Sequence, residues 1–418
     1  MRLFISLLLI LSIAISLCSC NHASDNSVTT ECTFSEEDAK KYKVPNPMAY
    51  PNYAFSETPT PQQLRQTAVR AMKDLLSIQW CTATNIAYYK SGPVSKKQFQ
   101  HKPMNTYGGT IYSNASTGLF QFMEFYNPKT GMLEYPYRIS QMQYDIGNSC
   151  ADSLLWGWSS VCNSISAGFF PVNMVYKNGY LPVGTYRYNF SISSYNECPS
   201  YKIIEINGKE IIFESYTHML PADALVSTSA NHAMMVIEPP NVVYNSDGTI
   251  NTSESTVVIQ DQRGGNGKGF YDATENGNVI HYSGRTRHVC TFDWLLEKHY
   301  IPVTCAEFTG AKAYDSVTVT ANQGCTALEE VKNTTISSNY PLAVIRAAAE
   351  DENGNREIWG RELFGGDQPT GVPTSFQLSQ LDCWETAAHS PLNKPGNIVK
   401  IEVVTPTGEI FIPIEITL

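Results

Sequence analysis

The sequence predicts an α+β protein: a core that mixes helices with short strands, followed by a small all-β sandwich. Three observations predict it. A strongly amphipathic, well-capped helix begins near residue 60. From about residue 100 to 310, short apolar runs alternate with Gly- and Asn-rich turns. Beyond about residue 325 the pattern becomes a period-two alternation around Asn-Gly and Thr-Gly turns, as half-buried strands require.

The 418 residues are enough for two or three domains and a sizeable core. With 42% hydrophobic and 16% charged residues, the composition is that of a globular chain rather than a disordered one. The net charge of -10, with 39 acidic against 29 basic side chains and no basic run, argues against nucleic acid or an anionic membrane surface as partner. Oligomeric state is open.

Residues 1–20 read as a signal segment. Arg2 precedes the apolar run LFISLLLILSIAISL, which is too short and wrongly flanked for a spanning helix. It ends in Leu17-Cys18-Ser19-Cys20, which resembles a bacterial lipobox and makes Cys20 the expected lipidation site. The chain is therefore expected to be exported to a bacterial cell surface and to meet the membrane only through lipid, with simple secretion as the alternative. Residues 21–57 are polar and Pro-containing and read as a tether.

A core domain is expected over 58–325. Thr60-Pro61-Gln62-Gln63 supplies an N-cap, a proline at the first helical position and a glutamine at N3. Leu64, Ala68, Met72, Leu75 and Leu76 then recur at helical spacing. Leu154, Leu155, Trp158, Val161 and Cys162 predict a second helix, and residues 292–298 a short third one. Strands are expected over 201–206, 210–215, 233–238, 256–260 and 302–308, with a hairpin turn at Asn207-Gly208 and another turn at Asn245-Ser246-Asp247-Gly248. Residues 326–418 are expected to be all β, with no helix. There Ile398, Lys400, Glu402 and Val404 alternate with Val399, Ile401 and Val403.

Eleven cysteines are present; setting aside Cys18 and Cys20 leaves nine, an odd number, so at least one thiol is unpaired. There is no CxxC pair, no HExxH and no EF-hand loop, and no metal or cofactor is expected. The Gly-rich stretch at 263–269 lacks P-loop spacing, and GxSxG is absent. Three segments carry residue types suited to nucleophilic chemistry. Gly147-Asn148-Ser149 is a small-residue turn that places Cys150 at a helix start, where unpaired amides and the helix dipole favour a thiolate. His232 opens the apolar run at 233–238 behind a polar loop and is a candidate general base. The strand beginning at Thr256 ends in Gln260, Asp261 and Gln262, any of which would orient the imidazole; alternation puts the two glutamines on one face and Asp261 on the other. Each feature alone has a plain structural alternative: a buried thiol, a hydrogen-bonded core histidine, a strand end in solvent.

Taken in chain order, these residues resemble the papain-like cysteine peptidases, and within them the NlpC-type cell-wall hydrolases. Gly109-Thr110-Ile111-Tyr112 matches the family's G-x-x-Y turn, Cys150 the nucleophile, Pro221-Ala222-Asp223 a Pro-Gly-Asp-like turn, and His232 the strand-initiating base. The resemblance spans about residues 58 to 310. It implies a papain-like core, a peptide or amide substrate such as the stem peptide of peptidoglycan, and an oxyanion-stabilising role for Tyr112. Trp156, Trp158 and Tyr144 are candidates to line the cleft, with core packing an equally good account of both tryptophans. The chain departs from the family at Ser149, where Asp is common, at Ala151-Asp152 in place of Ser-Gly, and in two insertions, after Tyr112 and after His232. Two other readings use the same residues: a non-catalytic surface lipoprotein that uses the core and the sandwich for binding, and an acyltransferase with an amine in place of water.

Overall fold

The computed structural model describes residues 44–83, 86–89, 98–103, 105–113, 115–134, 146–164, 180–187, 199–263, 270–365, 372–384 and 391–418. The expected signal segment, Cys20, Tyr144 and most of the Gly-rich stretch fall outside them. The described residues belong to one compact unit.

Helix α1, Pro61–Ser77, begins as its sequence dictates. The Thr60 hydroxyl accepts from the Gln63 N–H at 3.3 Å, and the Gln63 side chain accepts from the Thr60 N–H at 2.8 Å. It buries Leu64, Ala68, Met72, Leu75 and Leu76. At about 2 kcal/mol per buried Leu or Met, that face outweighs any propensity term. It packs against α2, Cys150–Ser159, every residue of which is buried. The two helices approach closely because residue 157 is glycine: a Cβ there would lie 2.9 Å from Met72 Cβ and 3.2 Å from Met235 Cε.

The helices lie against a six-stranded sheet. Its strands are β1 (Tyr180–Pro182), β2 (Ala224–Ser227), β3 (His232–Asn241), β4 (Thr256–Gln262), β5 (Gly284–Thr291) and β6 (Ile301–Cys305), in the order β5-β4-β3-β2-β6-β1. Every neighbouring pair is antiparallel. A second, mixed sheet contains Gln79–Thr82 and Thr106–Gly108.

Two expected strands, 201–206 and 210–215, are instead helices α3 (Ser200–Asn207) and α4 (Lys209–Thr217). The buried residues explain it. Ile212 and Tyr216 are four apart and bury together, whereas Tyr201, Ile206 and Ile211 are exposed. Asn207-Gly208 is a helix end rather than a hairpin turn. Gly208 takes φ +85°, its N–H donates to Ile204 O at 2.8 Å, and the Asn207 amide donates to Ile203 O at 2.8 Å. The strand expected at 302–308 stops at Cys305, where a short helical turn, Ala306–Thr309, takes over. Helix α5, Phe292–Glu297, is capped by Thr291, whose hydroxyl accepts from the Trp294 N–H at 3.2 Å.

Strands β7 (Val344–Glu350), β8 (Arg356–Leu363), β9 (Ile398–Val404) and β10 (Ile410–Thr417) form an antiparallel sheet in the order β8-β7-β9-β10. A three-stranded sheet contains Thr335–Ser338. A second hydrophobic cluster takes Ile336 from the smaller sheet and Ile345, Val399 and Ile401 from the larger. A helix, Leu328–Lys332, interrupts this region, where the sequence led us to expect none. Arg346 of β7 ties this sheet to the segment carrying Glu124: its Nε donates to Glu124 at 3.0 Å, while its Nη1 donates to Glu402, its partner on β9, at 3.0 Å. The Gln121 amide donates to Phe364 O at 2.7 Å. Residues 44–57, read from the sequence as the end of a tether, pack down: Val44 and Tyr53 are buried, and the Tyr53 N–H donates to Thr407 O at 2.7 Å.

Candidate active site

The nucleophile candidate is placed by the turn before it. The Asn148 N–H donates to Ile111 O at 2.9 Å, Ser113 N–H to Asn148 O at 3.1 Å, and Thr117 N–H to Gly147 O at 2.8 Å. Gly147 takes φ +111°, and a Cβ there would meet Ser113 Oγ and Ile111 O, so only glycine fits. This parallel bridge between Tyr112 and Asn148 sets the tyrosine segment beside the cysteine. That segment is itself fixed: Gly109 N–H donates to Ile78 O at 2.9 Å, Thr110 N–H to Leu75 O at 3.0 Å, and the Trp80 indole to Gly109 O at 2.8 Å. The Ser149 N–H donates to the Asp152 carboxylate at 2.8 Å, and Cys150 then opens α2. The first amides of a helix have no intrahelical acceptor and face whatever lies beyond the helix start.

His232 opens β3 opposite Ser227. Met235 faces Gln260 across β3 and β4, so Asp261 lies diagonal to His232, on the other face from Gln260. The diagonal closes with His232 Nε2 at 2.8 Å from Asp261 Oδ2. That leaves Nδ1 free of the carboxylate; the Cys150 thiol, whose sulfur lies 4.0 Å from Asn231 O beside the imidazole, is near enough to raise the ring's basicity. Cys150 is 5%, His232 7% and Asp261 0% exposed.

Of the three polar groups ending β4, Asp261 alone meets the imidazole. Gln260, a candidate for that role, turns away: its amide donates to Val69 O on α1 at 3.0 Å and lies against Met235. Gln262 likewise serves the scaffold, donating to Thr110 O at 3.0 Å. Trp158 and Trp156 are buried, with their indole N–H groups on Ala222 O (2.7 Å) and Ser116 O (2.9 Å); they belong to the core, not to a cleft wall.

Arg285 is the residue that sequence reasoning missed. It pairs directly with Asp261 across β4 and β5, and its guanidinium donates from Nε to Oδ1 at 2.8 Å and from Nη2 to Oδ2 at 2.7 Å. The alternation of Arg285, Arg287 and Val289 was available as a strand signal, but the register that brings Arg285 to Asp261 was not.

The electrostatics follow from these contacts. Burial alone would raise the Cys150 thiol, but the His232 charge and hydrogen bond, with the Ala233 N–H, outweigh it and hold the thiol below its ordinary value. Burial alone would lower His232; the Cys150 thiolate and the Asp261 carboxylate instead push it up to about 9. Burial would raise Asp261, and the bonds from His232 and Arg285 hold it well below the usual carboxylate range. Burial and the charges of Cys150 and Asp152 push the Tyr112 hydroxyl well up, so it stays protonated and can donate. The chain matches none of the protein families, curated proteins or solved structures with which it was compared.

The turn at Pro221-Ala222-Asp223 is also fixed. The Asp223 carboxylate accepts from Arg65 of α1 at 2.6 Å and from the Leu220 N–H at 2.7 Å. Ala222 takes φ +73°, where the resemblance has glycine. Among the described residues, one group could offer three ligand atoms to a metal, Cys162, Cys305 and Glu307. It is distinct from the Cys150 site.

Proposed function

We propose that this chain is an exported, lipid-anchored cysteine hydrolase with a papain-like core, acting on peptide or amide bonds. The observation that carries the proposal is a buried imidazole held at 2.8 Å by a buried carboxylate, beside a helix-start thiol that it holds below its ordinary value. A depressed thiol and a raised imidazole stabilise a thiolate–imidazolium pair near neutral pH, which is the reactive form of a cysteine nucleophile.

In this reading the Cys150 thiolate attacks the carbonyl carbon and the π electrons move to oxygen. The Cys150 N–H and the Tyr112 hydroxyl are the donors assigned to that oxyanion. The tetrahedral species collapses, the C–N bond breaks, and His232 Nδ1 gives its proton to the departing amine. Neutral His232 then takes a proton from water as the hydroxide attacks the thioester. The acid leaves and the thiolate–imidazolium pair returns. Asp261 keeps the ring oriented throughout.

The resemblance to NlpC-type enzymes, together with the lipobox-like Cys20, supports a cell-wall stem peptide as substrate and a bacterial surface as location. No helix among the described residues is long and apolar enough to cross a membrane.

The test is iodoacetamide labelling of the protein from pH 5 to 9, with Cys150→Ala and His232→Ala as controls, followed by a digest of purified peptidoglycan. Rapid labelling of Cys150 below pH 7, lost in His232→Ala, is expected. Slow labelling with an ordinary thiol profile would make the core a binding scaffold instead. Fast labelling with no release from peptidoglycan would sink the substrate and leave the nucleophile standing.

A further inference from the structure

At the far end of α2 lies a second pair of sulfur atoms that the chemistry at Cys150 does not use. Cys162, whose N–H caps the helix on Trp158 O at 2.8 Å, places its sulfur 3.2 Å from that of Cys305, the last residue of β6. The two are 143 residues apart in the chain, 1% and 0% exposed, and both are free thiols here. At 3.2 Å the two sulfurs are closer than an ordinary van der Waals contact and about 1 Å beyond the bonding distance of about 2 Å.

We propose that Cys162 and Cys305 form a disulfide as the chain folds in an oxidising compartment, tying the end of the nucleophile-bearing helix to β6. The oxidant is an external disulfide, of a small thiol or of an oxidoreductase. One cysteine thiolate attacks it, expelling a thiol and forming a mixed disulfide. The second cysteine thiolate attacks that bond, closing Cys162–Cys305 and expelling the second thiol. The two electrons and both protons end on the reduced partner. Because both sulfurs are buried in the finished fold, the exchange belongs to folding, before the core closes. The finished bond then resists reductants.

A metal is the competing use of the cluster, and the surroundings disfavour it. The Glu307 carboxylate, the third ligand a metal would need, already accepts from the Ser164 N–H at 3.1 Å, the Ser164 hydroxyl at 2.6 Å and the Lys312 ammonium at 3.2 Å. A divalent ion would have to displace that ammonium and leave it against the site. Burial pushes the Cys162 thiol well up, as suits a sulfur that is neutral or bonded rather than a resting thiolate.

The experiment is refolding of the whole chain in a mixture of reduced and oxidised glutathione. Alkylation in denaturant, digestion without reductant and mass spectrometry follow. Joined Cys162 and Cys305 peptides are expected, separable by reductant only after denaturation. Closing so long a loop should place the melting temperature of the oxidised protein about 5 °C above that of the reduced one. In Cys305→Ser, Cys162 should be recovered alkylated and the redox dependence of melting lost. Recovery of both cysteines alkylated from the oxidised wild type overturns the proposal. So does stoichiometric zinc that shields both thiols until a chelator removes it. Neither result bears on labelling at Cys150, so this inference and the hydrolase reading fail separately.

Discussion

Asp261→Asn separates the ionisation of the site from its shape. The amide keeps the volume and still accepts a hydrogen bond from His232 Nε2, now 2.8 Å away, but carries no charge. A carboxylate and an imidazolium whose charges are about 4 Å apart interact by about 4 kcal/mol at an effective dielectric of about 20. At 1.36 kcal/mol per pH unit, removing that term is worth up to about 3 units in the imidazolium, as a ceiling. The Cys150 thiolate remains and retains part of the stabilisation, so the shift expected is about 1 to 2 units. The pH midpoint of Cys150 labelling should rise by that amount, and the rate near pH 7 should fall about tenfold or more. Asp261→Asn also strands the Arg285 guanidinium, which is only 14% exposed in its side chain. A buried charge without its partner costs about 3 kcal/mol or more. The double variant Asp261→Asn, Arg285→Met removes that second effect. It should recover much of the stability in urea unfolding while leaving the labelling profile shifted. A labelling midpoint in Asp261→Asn within a few tenths of a unit of wild type would refute the argument that Asp261 supports the ion pair.

If the proposed hydrolase reading holds, activity on an amide substrate should be bell-shaped in pH. The acid limb falls below the ordinary thiol value, as Cys150 takes up its proton; the alkaline limb falls near pH 9, as His232 loses the proton it must give the leaving amine. Tyr112→Phe should leave iodoacetamide labelling of Cys150 intact, since alkylation forms no oxyanion, but lower turnover of an amide about 100-fold; equal losses in both assays would make Tyr112 structural. Gly157→Ala should destabilise the fold by about 1 to 3 kcal/mol in urea unfolding despite alanine's better helix propensity, because its Cβ would press on Met72 and Met235. Asp223→Ala leaves Arg65 buried without its carboxylate and should cost about 3 to 5 kcal/mol in the same assay, with little change in the labelling profile of whatever folds.

What the sequence made legible was local chemistry. Thr60-Pro61-x-Gln63 can hardly be anything but a helix start, and α1 begins there. Cys150 and His232 were found because a small-residue turn before an amphipathic run and a polar loop before an apolar run are both written in adjacent residues. The stretch at 201–216 misled because its apolar residues are few and short-spaced, and Asn-Gly closes a helix as readily as it turns a hairpin. The choice among Gln260, Asp261 and Gln262 needed the register of β3 on β4, and Arg285 needed that of β5 on β4. Register is set by long-range pairing, and no window of local sequence contains it.

The site can hold a charged pair at so little exposure because each member is fixed by a different part of the fold. Cys150 is set by the bonds from Ile111, Ser113 and Thr117 to the turn before it. His232 is set by its pairing with Ser227 on β2, and Asp261 by the fork of Arg285 on β5. Reorganisation of any one position therefore does not follow automatically from ionisation of another, and the polar surroundings are already in place when charge appears. On the hydrolase reading, that is the condition under which a thiolate–imidazolium pair persists rather than collapsing to the neutral thiol and imidazole that burial alone would favour. It also gives Arg285 a definite task. By anchoring both oxygens of Asp261, it keeps the carboxylate charged and aimed, at the cost of competing with His232 for the same negative charge. A lysine at 285 would preserve the charge but not the fork, so Arg285→Lys should disturb the orientation of Asp261 more than its ionisation.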